Sequence, residues 1–509
     1  MKKPTSSSHW PISLLSSVSA LVNMAVPLIM VRILPPEQMG IFKIFFLYVL
    51  MMPAFSMTNG LTNGLGYWAG QGDRGLRAIR MSNSLINLIA VALTFLMLLA
   101  SPLVAAIFHW PFMTACLFAF SIWGAVCLTF LEESSIVTGK IWFGAIYLSS
   151  TEILRSALLV VTALVTRSLD MILLVASLSA VAKVTASLIL AKRRGLIDFT
   201  FGGFFEKDES KKVLFQDIWK YAFPVSVAGV FGVFVTSSDQ IILSHVLQPA
   251  QFALYAIGCL SLPPIFILEQ SVTRVMIPQL SAAFAERNTL RAAHSYRGTV
   301  DQLAWLIIPA VTGLIVFAEP IIQLLFTAQY LESAQYLPWF ALGYLLLIFP
   351  TDAVPRARGE GQWILRASLI FSPLSLILCF ALGSTWGAFG ALAAILIAKL
   401  ALKIYAVYYI RTSTKWSWSS FIPQRSIAIY LITSVLLALL IEFAQKEFHL
   451  FAGSLNFFVY GFAFILMYFP LAFFFSIYGV PRERETRECK GTCCSLRSIL
   501  ELVDLSALS

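Results

Sequence analysis

The chain has 509 residues, of which 59% are apolar and only 12% charged, and 36 basic residues against 26 acidic ones give a net charge of +10. Soluble proteins average about 45–50% apolar and about 25% charged residues, so a soluble multidomain enzyme, a disordered scaffold and a nucleic-acid-binding module are all excluded. About 300 apolar side chains, at about 20 for each helix that crosses a bilayer, fill roughly 14 or 15 spans.

In chain order, apolar runs bounded by polar, Gly or Pro clusters predict spans near residues 11–34, 41–64, 81–103, 112–131, 142–166, 171–191 and 221–247. Seven more follow near 252–277, 299–319, 334–354, 365–383, 386–410, 425–443 and 452–478. The first run is too long for a signal peptide and lacks its cleavage pattern, so it reads as a retained helix. With the N-terminus inside, basic residues gather in every second loop: Arg74, Arg77 and Arg80, then Lys140, then Lys192 through Lys220, then Arg287, Arg291 and Arg297. Only Arg32, Lys43, Arg167 and Lys446 fall in or beside the other loops. This alternation predicts an even number of helices, fourteen, with both ends in the cytoplasm, and assigns most of the positive excess to orientation. Most tryptophans, including Trp68, Trp110, Trp142, Trp339 and Trp416, fall at span ends as an aromatic belt requires. The loops are short, which leaves no room for a large domain on either side.

Cys116, Cys127, Cys259 and Cys379 sit in apolar runs, where cysteine behaves as a small hydrophobe. Cys489, Cys493 and Cys494 cluster in a basic tail with a spacing that fits no common zinc pattern, and no metal site is expected. A shift of 213 residues without gaps lays Pro11 on Pro224, Ser13 on Ser226, Val22 on Val235, Ile29 on Ile242, Leu34 on Leu247, Pro36 on Pro249 and Gln38 on Gln251. Ile44 on Ile257 and Leu47 on Leu260 extend the match, whose densest part is the turn after the first and the seventh span. Six spans separate the copies, so both run the same way through the membrane, a parallel repeat of the kind found in two-lobed transporters. The predicted division is a first lobe over 1–200, a linker over 201–220, a second lobe over 221–412, two added helices over 413–480 and a basic tail over 481–509.

The segment Arg32-Ile33-Leu34-Pro35-Pro36-Glu37-Gln38-Met39-Gly40-Ile41-Phe42 resembles the "R-x-L-G-P-E-x-(F/Y)-G-x-(F/Y)" signature of the polysaccharide flippases, relatives of the multidrug and toxic compound extrusion antiporters. Asp239-Gln240-Ile241-Ile242 and Phe252-Ala253-Leu254-Tyr255 resemble the same family's seventh and eighth helices. Pro35 departs from the usual Gly, and Gly64-Leu65-Gly66-Tyr67-Trp68 stands where many relatives carry an Arg-containing stretch. The resemblance implies an all-α polytopic membrane protein of two six-helix lobes plus two extra helices. It implies movement of an undecaprenyl-diphosphate-linked oligosaccharide to the outer leaflet of the bacterial inner membrane by alternating access, with Na+ or H+ coupling and no cofactor. The partners it implies are the lipid-linked oligosaccharide, membrane lipids, and the polysaccharide polymerase and chain-length machinery.

Charges inside spans are costly and therefore candidates for function, each weighed against snorkelling or a buried pair. Glu152 and Arg155, three apart on one helix face, form a self-neutralising pair or else offer the Arg155 fork to a diphosphate. Lys183 lies roughly 12 Å from the inner basic cluster at helical rise, too deep to snorkel fully, and is the stronger cation candidate. Lys43 and Arg274, near span ends, are further candidates for the diphosphate or else snorkel to lipid phosphates. Asp239, beside the polar run from Thr236, and Glu269, one turn before Thr273, can bind Na+ or a proton, or else pair with a neighbour. The pair Pro263-Pro264 should kink the eighth helix. Two rivals fit less well. A drug antiporter would carry an acidic residue in the first helix, and Leu14 to Val31 has none. A membrane polymerase would need a substantial outer loop.

Overall fold

The computed structural model describes residues 10–69, 72–197, 209–259, 262–447 and 454–478, and among these every regular element is helical. The first half comprises α1 (Trp10–Ile33), α2 (Pro36–Phe55), α3 (Thr58–Ala69), α4 (Gly72–Leu99), α5 (Phe112–Val126), α6 (Phe130–Val137), α7 (Ile141–Thr166) and α8 (Leu169–Arg193). The second comprises α9 (Glu209–Val246), α10 (Pro249–Gly258), α11 (Pro263–Ala285), α12 (Thr289–Val316), short helical pieces over 328–357, α13 (Gly361–Thr414), α14 (Gln424–Glu447) and α15 (Ser454–Tyr478). Ten described helical stretches are long and apolar enough to cross a membrane, or eleven if α10 and α11, bent by 47°, form one span. The 54-residue α13 is broken at Gly387 into two legs, so that with α1 and α15 the described chain makes fourteen passes, as the composition and loop charges predict. Pro263 and Pro264, expected to kink the eighth helix, stand in the first turn of α11.

The turn inside α13 rests on one residue. Gly387 has φ 61° and ψ −140°, a region essentially reserved for glycine. The legs then pack so closely that a Cβ on Gly390 would sit 1.9 Å from the Leu382 carbonyl oxygen. Gly387→Ala is therefore expected to cost about 1–3 kcal/mol, read as a lower melting temperature of the purified protein.

The repeated turn is also a structural repeat. Pro35 and Gln248 precede α2 and α10 with φ/ψ of −64°/157° and −63°/149°, and Pro36 and Pro249 occupy the first turn of each helix. Proline suits that position because its missing N–H would have no intrahelical acceptor there. The second span breaks between α2 and α3, where Met57 has φ 58°. There the Ser56 and Thr58 hydroxyls donate to the Pro53 carbonyl at 3.2 and 3.1 Å.

Two departures from expectation have physical causes. The tenth pass is assembled from 3-10 and short α pieces, with Pro338 and Pro350 interrupting the ladder. Trp68, Trp110 and Trp416, expected in an interfacial belt, are buried, and Trp110 stacks on Phe108 at 4.7 Å. Trp142, Trp339 and Trp386 are exposed as a belt requires.

Large apolar side chains such as Phe95, Val165, Phe380 and Leu440 point outward, as lipid-facing surfaces do. Inside, one buried cluster unites α1–α8 with α9, α10, residues 318–337 and part of α13, and a second gathers α11, α12, residues 341–354, the end of α13, α14 and α15. The last two helices pack on α12 and on each other, with no large contact to the first half among the described residues. Cys127, Cys259 and Cys379 are buried free thiols and Cys116 is half-buried, whereas Cys489, Cys493 and Cys494 lie outside the described residues.

Candidate functional site: a central polar cavity

A cavity of about 1200 Å³ lies between the halves, walled by α1, α2, α5, α7 and α8 on one side and α9–α11, the tenth pass and α13 on the other. Five basic side chains, Lys43, Arg155, Lys183, Lys399 and Lys403, and two acidic ones, Glu152 and Asp239, line it, leaving a surplus of three positive charges. Neutral polar groups, among them Asn23, Tyr147, Thr151, Gln240 and Tyr344, alternate with apolar wall.

In the first half the charges form a chain. Arg155 lies 3.3 Å from Glu152, and Lys183 lies 3.4 Å from Glu152 and 3.1 Å from Glu132. Lys183 is thus a bridge between two carboxylates rather than a free cation, and the expected Glu152–Arg155 pair is present but shared. Tyr147 helps hold Lys183 in register: its hydroxyl contacts the Ser187 hydroxyl at 2.9 Å and the Lys183 carbonyl at 3.4 Å. Glu132 sits on α6, the second piece of the fourth span, which is anchored by a buried amide. Asn83 donates to Ser134 and to the Leu196 carbonyl, both at 2.8 Å.

The second half presents its charges differently. Asp239 is buried, and the Tyr255 hydroxyl donates to its Oδ2 at 2.5 Å, while its Oδ1 has no hydrogen-bond partner. It follows Ser237, whose φ of −138° interrupts α9, so the polar run from Thr236 marks a kink as well as a cavity wall. Lys399 and Lys403, one turn apart on α13, complete the wall, and Lys403 donates to the Phe349 carbonyl at 2.6 Å. Lys43 lines the cavity from α2 without an acidic partner among the described residues. Glu269 lies outside the cavity wall and accepts from Thr273 at 3.0 Å. Arg274 is on α11, and its side chain lies outside the described residues.

Sequence reasoning missed Glu132, Lys399 and Lys403. Ending the fourth span near residue 131 placed Glu132 in a loop. The signal against that boundary was Gly139, which with φ 89° ends the helix a full two turns later. Lys399 and Lys403, spaced to share one helix face, could have been found by the reasoning applied to Glu152 and Arg155.

Along the edge of the cavity the halves meet closely. At the end carrying the repeated turns, a Cβ on Gly40 would lie 1.8 Å from the Pro249 carbonyl oxygen, and Tyr48 contacts Ser244 and His245 at 2.9 and 3.0 Å. At the opposite, basic end, the Gly60 amide donates to Ser226 at 3.1 Å, and Arg74 pairs with Asp217.

These features define a multi-pass helical membrane protein with a charge-bearing cavity between its two halves. Residues 29–335 match the family model described as polysaccharide biosynthesis protein, and the chain belongs to that family. Its fold is shared by solved membrane transporters. It is similar to the lipid II flippase MurJ in an inward closed conformation, with a TM-score of 0.69 at 17% identity over 92% of this chain and 99% of that one. A multidrug resistance MATE family transporter in an inward-facing conformation gives 0.58 at 19% identity over 78% and 94%. A MOP superfamily transporter from Pyrococcus furiosus with a reversed-polarity binding pocket gives 0.55 at 18% identity over 81% and 99%. At these identities the likeness is one of fold. No curated protein matches the sequence.

Proposed function

We propose that the protein carries an undecaprenyl-diphosphate-linked oligosaccharide from the cytoplasmic to the outer leaflet of the bacterial inner membrane by alternating access of the central cavity. The observation that carries this reading is the charge of that cavity, five basic against two acidic lining side chains. A diphosphate cannot enter hydrocarbon without compensating charge and hydrogen bonds, and the lysines and arginine on the cavity wall supply both. Lys43, Lys399 and Arg155 are the side chains we assign to the diphosphate, with Lys403 beside them. Asp239 is the second-half candidate for ion coupling. The same surplus argues against export of cationic drugs, which it would repel.

In this reading residues 1–200 and 221–412 are two lobes joined by 201–220, the helices of 413–480 support the second lobe, and the basic tail and the N-terminus lie in the cytoplasm. The polymerase and chain-length machinery would act on the product at the outer face. Depletion of the protein should strand lipid-linked repeat units in the inner leaflet, measured by leaflet-selective labelling; an unchanged distribution would sink the reading. A charge-assisted hydrogen bond contributes about 1.5–3 kcal/mol, so Lys43→Met and Lys399→Met should each slow export by about 10-fold to 100-fold, with normal protein levels.

A further inference from the structure

Glu132 stands apart from the other charges. It is 1% exposed and does not line the cavity, and among the described residues Lys183 is the one side chain paired with its carboxylate. Among the described residues its counter-ion is Lys183 alone, at 3.1 Å. Glu152, by contrast, has Arg155 as a second partner at 3.3 Å. The titratable groups facing Glu132 are Lys183 from α8, and Glu152 and Tyr147 from α7. Among the described residues the α3 and α4 faces present no ion-pair partner to it, and α4 contributes the neutral Asn83 that fixes the neighbouring Ser134.

Lys183 belongs to both environments, since its ammonium faces Glu132 on one side and lines the cavity on the other. An anionic headgroup in the cavity competes with Glu132 for this one cation. If the ammonium turns to the headgroup, Glu132 is left buried and charged without its counter-ion, a state that costs several kcal/mol in a protein interior. The carboxylate avoids that cost by accepting a proton from water in the open cavity.

We infer that Glu132 is a proton acceptor linked to binding, and that an anionic, diphosphate-bearing ligand and one proton bind together because each releases Lys183 from Glu132. This inference rests on the diphosphate reading of the cavity and adds the residue that senses occupancy. In balance, one proton leaves water and forms the O–H bond of Glu132, the Lys183–Glu132 ion pair breaks, and a Lys183–phosphate pair forms. No other bond changes. The proton leaves again when the headgroup departs and Lys183 returns.

The test is calorimetric titration of the full-length protein in lipid nanodiscs with farnesyl diphosphate, a short isoprenyl diphosphate, in buffers of different ionisation enthalpy. The wild type should take up about one proton more per ligand bound than Glu132→Gln does, the difference removing the ligand's own protons. The wild-type affinity should fall by up to tenfold for each unit rise in pH, the slope set by one linked proton. Glu132→Gln, isosteric and neutral, should bind at least as tightly as the wild type with a flatter pH profile. Lys183→Met should bind at least tenfold more weakly and also take up no extra proton, because its Glu132 is already neutral. Equal proton uptake by wild type and Glu132→Gln would overturn the inference while leaving the diphosphate reading intact. Failure of the wild type to bind farnesyl diphosphate would overturn the diphosphate reading itself.

Discussion

Lys183→Ala should destabilise the folded protein by about 3–5 kcal/mol, the loss measured when one member of a buried ion pair is removed. The ammonium lies 3.1 Å from Glu132 and 3.4 Å from Glu152, and its side chain is 10% exposed. Its removal strands Glu132, whereas Glu152 keeps Arg155. The loss has a pH signature. A carboxylate that must take up a proton to fold costs more as the pH rises, so the penalty is smallest at and below the ordinary carboxylate range and grows toward neutral pH. Thermal melts of detergent-purified protein should therefore separate the variant from wild type most at neutral pH and least near pH 5. The double variant Lys183→Met with Glu132→Gln removes both charges and should recover most of the stability. A Lys183→Ala protein that melts like wild type at neutral pH would contradict the bridge.

The second large effect is expected at Gly40. A methyl there would meet the Pro249 oxygen at 1.8 Å, its carbonyl carbon at 2.3 Å and its Cα at 2.8 Å. These are backbone atoms on the other half of the molecule, so no side-chain rotation relieves the clash and the halves must part at this end. Gly40→Ala should cost about 1–3 kcal/mol, typical of overpacking, and should bias the seam open. Spin labels on the exposed positions Glu37 and Gln248, one on each half, should report a longer distance in the variant by double electron–electron resonance. Gly66→Ala is the control, because a Cβ at Gly66 meets nothing within 4 Å. An unchanged label distance in Gly40→Ala would show that the seam yields elsewhere.

Much of the fold could be read from one dimension, because the bilayer reduces the problem to runs of apolar residues and the sign of the charge between them. The spans predicted at 365–383 and 386–410 left only two residues for a loop, and the chain does turn on a single glycine there. The two proline-bearing turns that match at a shift of 213 adopt the same backbone conformation. What the sequence could not supply is what meets across space. Lys183 and Glu132 are 51 positions apart on different helices, and periodicity carries no information on which faces of α6 and α8 oppose each other. Glu152 and Arg155 were legible because helical spacing alone puts them together. Asp239 was legible as a buried charge, but not its hydrogen bond from Tyr255 on the next helix.

The surplus of positive charge on the cavity wall has an electrical consequence if the protein works by alternating access. An empty cavity that faces outward and then inward carries lysines through part of the membrane field, and each full charge crossing it is worth about 2.3 kcal/mol per 100 mV. A diphosphate diester brings two negative charges, so the loaded form moves less net charge than the empty one. With the cell interior negative, the membrane voltage then pulls the empty form back toward the side where substrate is loaded. The resting potential would set the pace of the return stroke, and a cell that loses its voltage would stall with its carriers facing out.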